Sequence, residues 1–582
     1  MLKVLVLAAL LVSTLALDAW VELKVVPASF EIKRGKPGDT AVAWGSFDNK
    51  INETGFGFLE IYTNEVFPDE YQAYAAGFLE AYFTKDLVAK HFSNQWSDYC
   101  DKEAEYCERL YDFLSANLDF MNEQAAKYRK TDPYWHQVDL ILNQLAGLND
   151  GLNHTKFFPN YSYVNVTNLL LLNVDGDLED LEVALKRAVR QEVTGSDSCS
   201  ALVKVLPGGE DLYFSQVFWG PYAGMLHILK KYSFKFHSTF GSSELIPGHT
   251  VTFSSSPGRI CSGDDFYLIS SGLATMETTN LNFNSSLYSY VKPTTNLEYV
   301  RNIAANRLAT SGEEWADIFS RYNSGTYNNQ WMVVDYKKFT PGQPLQDNLL
   351  WVLEQLPGYI YKEDLTKVLR RQTYWPSYNV PYSEVVFNMS NWQSNLEKFG
   401  DWFTYDKTPR ALIFKRDNGK VVDMESMIKL MRYNDYTRDP LSACNCTPPY
   451  SAENAISARS DLNPADGVYP FHYLGHESHG ATNMKLTNSR LFADLMFTAV
   501  AGPTYDPLPP FRWSTSGLKD RHDGQPDLWQ FTPFTHKWGS GSRHRGPRRR
   551  SRDAEKPIRN NCSRQSALKL HGVSYDESLP TV

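Results

Sequence analysis

The chain of 582 residues lacks the short motifs of several large enzyme classes. It contains no Gly-X-Ser-X-Gly, the sequence that presents the nucleophilic serine of α/β-hydrolases. It also contains no glycine-rich loop ending in Gly-Lys-Ser/Thr and no His-Glu-X-X-His, which argues against P-loop nucleotide chemistry and against that class of zinc enzyme. After the first 20 residues, no apolar stretch approaches the roughly 20 residues that a membrane-spanning helix needs. We therefore expect no stable membrane span in the mature protein.

Acidic residues outnumber basic ones outside the C-terminal segment. The chain has 58 Lys/Arg and 67 Asp/Glu, which gives a net charge of −9. Residues 541–582 hold ten Lys/Arg and four Asp/Glu, so the first 540 residues carry −15. Because an acidic body repels phosphates, we expect no nucleic-acid partner. Hydrophobic residues make up 42% and aromatic residues 14%, which excludes a disordered chain and predicts a large core.

The first 20 residues, MLKVLVLAALLVSTLALDAW, have the pattern of a secretory signal peptide. Lys3 precedes an apolar run that ends in small residues, and we place the signal peptide at residues 1–17. Eight Asn-X-Ser/Thr sequons follow, a good case for a glycoprotein. They lie at Asn52, Asn153, Asn160, Asn165, Asn284, Asn388, Asn445 and Asn561. We predict a glycoprotein of the secretory pathway, either lysosomal or extracellular.

Export changes how the seven cysteines are interpreted. Cys100 and Cys107 lie seven residues apart in a helix-like stretch, and Cys444 and Cys446 form a Cys-X-Cys pair. Two local disulfides are the simplest pairing. The other cysteines are Cys199, Cys261 and Cys562. Each of these thiols is either a buried bystander or a reactive group.

The chain mixes strand-like and helix-like patterns, which predicts an α+β fold. Residues 20–65 alternate apolar and polar side chains, as paired strands do. Residues 199–206 and 212–219 form a predicted hairpin around a Pro-Gly-Gly turn, and further strands contain VTFSSS, DDFYLISSGLATMETT and QWMVVDYKKF. Helices are predicted at 71–83, 103–120, 135–149, 176–193, 222–232 and 294–322. Beyond Trp538 the sequence becomes basic and aperiodic, so we expect a disordered or aberrant tail over 539–582.

Cys199 opens the predicted hairpin and follows a polar segment that ends at Ser198. If the peptide bond between them is cut, Cys199 gains an α-amine beside its own thiol. An α-amine has a reference pKa of about 7.7–8.0, so one residue can supply both the nucleophile and the base. The thiol can attack the preceding carbonyl to form a thioester, which water then hydrolyses. An inert, buried cysteine is the alternative, and Cys261 is a rival thiol.

Two further polar groups suggest weaker sites. The first comprises His472, His476, Glu477 and His479. Flanking glycines indicate a loop there, and the spacing is not that of a zinc site. The second is Asp264 with Asp265, which point to opposite faces if they lie in a strand. We expect neither a metal nor another cofactor.

Several long strings resemble the phospholipase B-like proteins. They are AYAAGFLEAY (73–82), CSALVKVLPG (199–208), SGDDFYLISSGLATMETTN (262–280), YNSGTYNNQWMVVDY (322–336), WPSYNVPY (375–382), LMRYNDYTRDPLS (430–442) and ENAISARSDLNPADG (453–467). The resemblance extends from about residue 20 to about residue 538. It implies an N-terminal-nucleophile hydrolase fold, a four-layer αββα sandwich of two antiparallel sheets between helical layers. It also implies self-cleavage between Ser198 and Cys199, with 18–198 as the N-terminal fragment and 199–538 as the nucleophile-bearing portion.

The resemblance also implies roles for individual residues. The catalytic thiol falls on Cys199, the oxyanion-stabilising amide on Asn379 and an orienting arginine on Arg459. The substrate pocket would include Gln216, Trp219 and Thr279. Asn379 can also be explained as a turn residue, Thr279 as a strand threonine, and Arg459 as the partner of Asp461 in a structural ion pair. Gln216 stands where the family has a histidine, and an amide cannot carry a proton at neutral pH.

Three functions follow from the resemblance and remain open at the level of sequence. The first is release of fatty acid from glycerophospholipids through a thioester on Cys199. The same chemistry permits an N-acyl amide substrate. The third is a non-catalytic glycoprotein that binds a lipid or a protein partner, which the glutamine at position 216 favours. The sequence leaves the oligomeric state open.

Overall fold

The computed structural model describes residues 16–25, 28–153, 166–187 and 199–539. The predicted signal peptide up to residue 15 and the basic tail from residue 540 lie outside these ranges. So do Asn160, Asn165, Ser198, Asn561 and Cys562. The predictions made for these segments and residues are therefore not addressed by the structure.

Nineteen strands lie within the described ranges, most of them in the first two thirds of the chain. In chain order they are β1 Leu17–Val25, β2 Ala28–Arg34, β3 Ala41–Lys50, β4 Phe56–Thr63, β5 Cys199–Val205, β6 Leu212–Pro221, β7 His227–Ser233, β8 Thr250–Ser255, β9 Phe266–Ile269, β10 Leu273–Thr279, β11 Asn329–Asp335, β12 Leu350–Leu356, β13 Tyr359–Asp364, β14 Tyr374–Ser377, β15 His479–Thr487, β16 Thr498–Ala501, β17 Phe511–Arg512, β18 Leu528–Trp529 and β19 Phe534–Thr535.

The α-helices of the described ranges fall in three groups along the chain: before β5, between β10 and β15, and after β15. They are α1 Ile51–Thr54, α2 Asp69–Trp96, α3 Ala104–Tyr128, α4 Pro133–Asn153, α5 Val166–Asn173, α6 Asp175–Ala184, α7 Glu298–Leu308, α8 Gly312–Ser320, α9 Thr366–Gln372, α10 Glu384–Met389, α11 Trp392–Phe399, α12 Pro409–Asp417, α13 Met424–Met431, α14 Ser489–Ala493 and α15 Trp513–Ser516.

Two large sheets organise these elements. The first has eleven strands in the order β13-β12-β11-β10-β9-β8-β7-β4-β3-β1-β2. Its neighbours are antiparallel except β4 and β7, which run parallel. The second has six strands in the order β14-β5-β6-β15-β16-β19. A short third sheet pairs β17 with β18.

The alternating side chains of the hairpin β5–β6 show how the layers stack. Ala201 and Val203 lie in a core cluster with Met276 of the large sheet, so the two sheets face each other. Leu202 points the other way and packs with Phe414 of α12, as the period of two in a strand requires. On the far side of the large sheet, a third cluster joins its strands to α2 and α4. The layer order is helix, sheet, sheet, helix, and the predicted α+β class is confirmed.

The hairpin is confirmed almost to the residue, whereas two of the predicted helices are not. The segment 222–232 was expected to be helical, but β7 occupies His227–Ser233 and pairs with β4 and β8. A short apolar run cannot distinguish a buried strand from a buried helix. A strand covered on both faces shows no alternation of apolar and polar residues. The predicted helix 294–322 is two helices, since Ser311 starts α8 by accepting a hydrogen bond from the backbone N–H of Glu314.

Both predicted disulfides, Cys100–Cys107 and Cys444–Cys446, are present. Cys199 and Cys261 are buried thiols. Across the described ranges, no helix combines the length and the apolar character needed to cross a membrane. Among the described sequons, the side chains of Asn52, Asn388 and Asn445 are exposed, and those of Asn153 and Asn284 are half-buried. Glycosylation stays a prediction.

Candidate active site

Cys199 is the first residue of β5, and it is completely buried between its neighbours β14 and β6. It lies opposite Phe218 in the hairpin. Its backbone is held at both ends. The N–H donates to Asn379 Oδ1 at 3.1 Å, and the carbonyl oxygen accepts from Arg410 Nη1 at 2.6 Å. Pairing with β6 and two polar side chains therefore fix the backbone from which the thiol projects.

Asn379 lies just beyond β14 in a left-handed conformation with φ 66°, which asparagine tolerates better than most residues. Its Oδ1 also accepts from Arg410 Nη1 at 2.7 Å, and its Nδ2 donates to the carbonyl oxygen of Thr279 at 2.7 Å. These partners fix the orientation of the amide, because only the oxygen can accept. Asn379 thus holds the amide of Cys199, and its predicted oxyanion role stays a prediction.

Arg410 is the first of two residues in contact with Cys199 that the sequence did not reveal. It lies near the start of α12, and its guanidinium carbon is 4.4 Å from the ring centroid of Trp219. Burial lowers the pKa of Arg410 to about 10, although Glu453 opposes the shift, so the side chain is positively charged at neutral and acidic pH. The string Pro-Arg-Ala-Leu matches no motif, and 211 residues separate the two partners in the chain.

The orienting role predicted for Arg459 requires a correction. This guanidinium forms a two-pronged ion pair with Asp461 at 2.8 and 2.9 Å, and it donates to the carbonyl oxygens of Thr504 and Pro509. These contacts match the alternative given in the sequence analysis, in which Arg459 forms a structural ion pair with Asp461. The arginine in contact with Cys199 is Arg410.

Glu277 of β10 is the second residue that the sequence did not reveal. Its Oε1 lies 4.0 Å from the Sγ of Cys199, within contact of the thiol. The hydroxyl of Tyr327 reaches the same oxygen at 3.5 Å, and the backbone carbonyl of Glu277 accepts from Gln216 Nε2 at 2.8 Å. The sequence singled out Thr279 in the same strand and passed over Glu277, because a lone glutamate in a strand carries no spacing signal.

The three predicted pocket residues surround this centre. Trp219 donates from Nε1 to the carbonyl of Ile456 at 3.2 Å, which leaves its ring against Arg410. Gln216 Oε1 and Thr279 Oγ1 are buried without a hydrogen-bond partner among the described residues. Buried polar atoms of this kind carry a desolvation cost, and a bound molecule or water would relieve it.

A cavity of about 540 Å³ borders the site. Its lining includes Phe218, which pairs with Cys199, and Tyr327, which contacts Glu277. Asp264 also lines it, with its carboxylate 3.3 Å from Lys485 Nζ. Burial alone would raise the pKa of Asp264, but Lys485 and other partners hold it below its usual value. The cavity therefore approaches the site through Phe218 and Tyr327, and the Asp264 carboxylate places a negative charge on its wall.

The other predicted groups do not form a site. His476 contacts the carbonyl of Asn463, while His479 is buried in β15. Throughout the part of the chain that the structure describes, no group of three or more His, Cys, Asp or Glu could hold a metal ion. Asp264 and Asp265 lie before β9 and not in a strand, so the strand alternation expected for them does not apply. Their carboxylates nevertheless have different partners: Asp264 accepts from Asn483, and Asp265 accepts from Asn302 of α7.

Comparison with known proteins places this site in a family. The profile of the family described as Phospholipase B matches residues 43–536. "Putative phospholipase B-like 2" of Homo sapiens is 50% identical over 507 residues, covering 86% of each chain. "Phospholipase B-like protein B" of Dictyostelium discoideum is 37% identical over 506 residues, covering 84% of this chain and 85% of the relative.

Among solved structures, a mutant of conjugated bile acid hydrolase from Clostridium perfringens covers 59% of this chain and 97% of its own. Its sequence identity is 11% and its TM-score is 0.27, too low to carry an argument. The family profile and the relatives, in contrast, span most of the chain. The chain belongs to the phospholipase B family.

Proposed function

We propose that this protein is an acyl hydrolase whose nucleophile is the thiol of Cys199. In this proposal the chain cuts itself between Ser198 and Cys199, which converts Cys199 into an N-terminal residue with its own α-amine. The thiol then attacks an acyl bond of the substrate and forms a thioester, which water hydrolyses. Family membership supports a hydrolase.

The observation that carries the proposal is the set of contacts around Cys199. Asn379 and Arg410 hold its backbone, and Glu277 lies against its thiol. A cavity large enough for a small molecule is lined by Phe218, which pairs with Cys199. A structural cysteine needs none of these polar contacts. Cys261 differs in its surroundings: its Sγ lies 4.0 Å from the backbone carbonyl oxygen of Asn173 rather than from a carboxylate, and burial raises the pKa of its thiol far above the usual range.

The substrate class we propose is glycerophospholipid, with fatty acid as the product. The names of the relatives support this choice. An N-acyl amide is the second candidate, because the same thioester chemistry cleaves it. A lysosomal or extracellular location is part of the proposal and rests on the signal peptide and the sequons. The alternative is a binding protein without activity, which is favoured by glutamine at position 216, where the family resemblance implies a histidine.

The test is a search for the cut. The protein would be secreted from a eukaryotic host, held at pH 5, deglycosylated and resolved on a denaturing gel, with sequencing of each N-terminus. We expect a fragment that starts at Cys199 in the natural protein and an uncut chain in Cys199→Ala. Cys261→Ala is the matched control, since it removes the other buried thiol and should leave the cut in place.

The cut chain would then be offered phospholipid vesicles and N-acyl amides, with fatty acid release as the readout. Release from one class and not the other identifies the bond. A natural chain that stays uncut, or a cut that survives in Cys199→Ala, would refute the hydrolase and favour the binding protein.

A further inference from the structure

The first cut in the chain poses a chemical problem that the mature enzyme does not have. Before cleavage, the nitrogen of Cys199 belongs to a peptide bond, and an amide nitrogen is not a base. The α-amine that serves the mature enzyme therefore does not yet exist. Another group must accept the proton of the thiol when Sγ attacks the carbonyl carbon of Ser198.

We infer that Glu277 is the base of this self-cleavage. The inference rests on the function proposed above. The contact of 4.0 Å joins the thiol to Glu277 Oε1, an oxygen that accepts protons. Hydrogen bonds of catalytic groups are often long before reaction and shorten as it proceeds. Glu277 is fully buried, so its carboxylate does not exchange this partner for bulk water.

The other groups around Cys199 cannot take the proton. Arg410 is a protonated guanidinium and Asn379 is an amide, and both contact the backbone of Cys199 rather than its sulfur. Gln216, where the family has a histidine, is also an amide. Burial lowers the pKa of Lys485, across the hairpin, but Asp264 at 3.3 Å opposes this shift and favours the protonated amine, which donates to Asn483 Oδ1 at 2.6 Å. Glu277 is the acceptor that remains among the described contacts.

The reaction balances with this one carboxylate. The thiol proton moves to Glu277 as Sγ forms a bond to the carbonyl carbon of Ser198. When the bond between that carbon and the nitrogen of Cys199 breaks, protonated Glu277 returns the proton to the nitrogen. The products of this step are a thioester and an α-amine. Water then cleaves the thioester, which leaves a carboxylic acid on Ser198 and restores the thiol.

Tyr327 supports this assignment from the side of the cavity. Its hydroxyl donates toward the same Oε1 of Glu277 at 3.5 Å and so helps to aim the oxygen at the sulfur. Tyr327 also lines the cavity, so one side chain connects the Glu277 carboxylate to the space available to a substrate. The same carboxylate is thus positioned to act in the uncut chain before any substrate is present.

The experiment follows the rate of cutting in the full chain. Glu277→Gln keeps the shape of the side chain and removes its basicity. We expect the conversion of uncut to cut chain at pH 5 to slow at least about 100-fold, the lower range for loss of a general base. The matched control is Glu354→Gln, another fully buried glutamate two strands away in the same sheet, which should cut at the natural rate.

Thermal unfolding checks that each variant is folded. Where Glu277→Gln does not fold, Glu277→Asp is the variant to test. It keeps the negative charge but places the carboxylate farther from the sulfur, so we expect the chain to be cut slowly. Cutting of either variant at the natural rate would overturn the inference and leave the proposed function standing. A natural chain that is not cut, or a cut that does not need Cys199, would instead overturn the proposed function.

Discussion

At the scale of single residues, Arg410 carries the sharpest prediction outside the reaction itself. Its guanidinium connects the carbonyl of Cys199 to the side chain of Asn379. Arg410→Lys keeps the charge but removes the guanidinium nitrogen Nη1, which donates to both oxygens. We expect the rate of self-cleavage to fall about 10- to 100-fold, since a charged hydrogen bond contributes roughly 1.5–3 kcal/mol. A gel time course at pH 5 measures this.

Arg459→Lys is the matched control for that variant. It breaks the two-pronged pair with Asp461, which is also buried, and should lower the thermal midpoint while leaving the cleavage rate near that of the natural chain. If Arg459→Lys slowed cleavage as much as Arg410→Lys does, the assignment of the orienting role to Arg410 would be refuted.

What the sequence revealed of the site depended on distance along the chain. Cys199 became a candidate because a polar segment meets an alternating strand at that residue, a local signal, and the family resemblance then selected it over Cys261. Asn379, Gln216 and Trp219 followed only from the family resemblance. Glu277 and Arg410 lie 78 and 211 residues from Cys199, and no spacing rule connects them. Their contact exists only after two sheets and a helix have packed.

At the scale of elements, the crossing of α2 and α4 depends on two glycines. A Cβ atom on Gly77 would lie 1.9 Å from the carbonyl oxygen of Gln144, and one on Gly147 would lie 2.0 Å from that of Tyr74. A backbone oxygen cannot move aside as a side chain can. We expect Gly77→Ala to destabilise the fold by about 3 kcal/mol, the upper part of the range for overpacking. The thermal midpoint measures it.

Gly419→Ala is the control for the helix crossing. A Cβ atom at Gly419 meets nothing within 4 Å, and the backbone there is not left-handed. The substitution should leave the thermal midpoint unchanged or raise it slightly, because it reduces the freedom of the unfolded chain. Equal losses in Gly77→Ala and Gly419→Ala would show that the helices do not cross as closely as described.

The elements also show where sequence patterns stop being informative. Both helices of that crossing were predicted from their periodicity, yet their close contact was not. The hairpin β5–β6 was predicted because its turn and its alternation agree. In contrast, β7 was mistaken for a helix, since it is central in the eleven-stranded sheet and buried on both faces. The alternation of apolar and polar residues is lost in such a strand, so β7 is recognised only from its pairing with β4 and β8.

At the scale of the whole molecule, buried titratable groups set two opposing pH responses. Burial raises the pKa of Asp177 and Asp180 to about 6. Such carboxyls stabilise the fold most when they are protonated, and this stabilisation is lost as the pH rises through about 6. Burial lowers the pKa of His227 and His479 to about 4, so their contribution is lost as the pH falls from 6.5 to 4. The opposing signs predict a broad plateau of stability between these limits.

Glu453 allows one side of this balance to be isolated. It is buried, and desolvation raises its pKa to about 7, although Ser460 and Arg410 oppose the shift. Below about pH 4, the carboxyl is neutral in both the folded and the unfolded chain, and its stabilising effect is complete. As the pH rises to 8, Glu453 ionises first in the unfolded chain, so the free energy of unfolding falls by up to about 3 kcal/mol.

The side chain in Glu453→Gln cannot ionise, so the variant should not show this loss of stability. We therefore expect the thermal midpoint of the variant to be close to that of the natural chain at pH 4.5 and above it at pH 8; a difference that stays constant with pH would contradict the assignment.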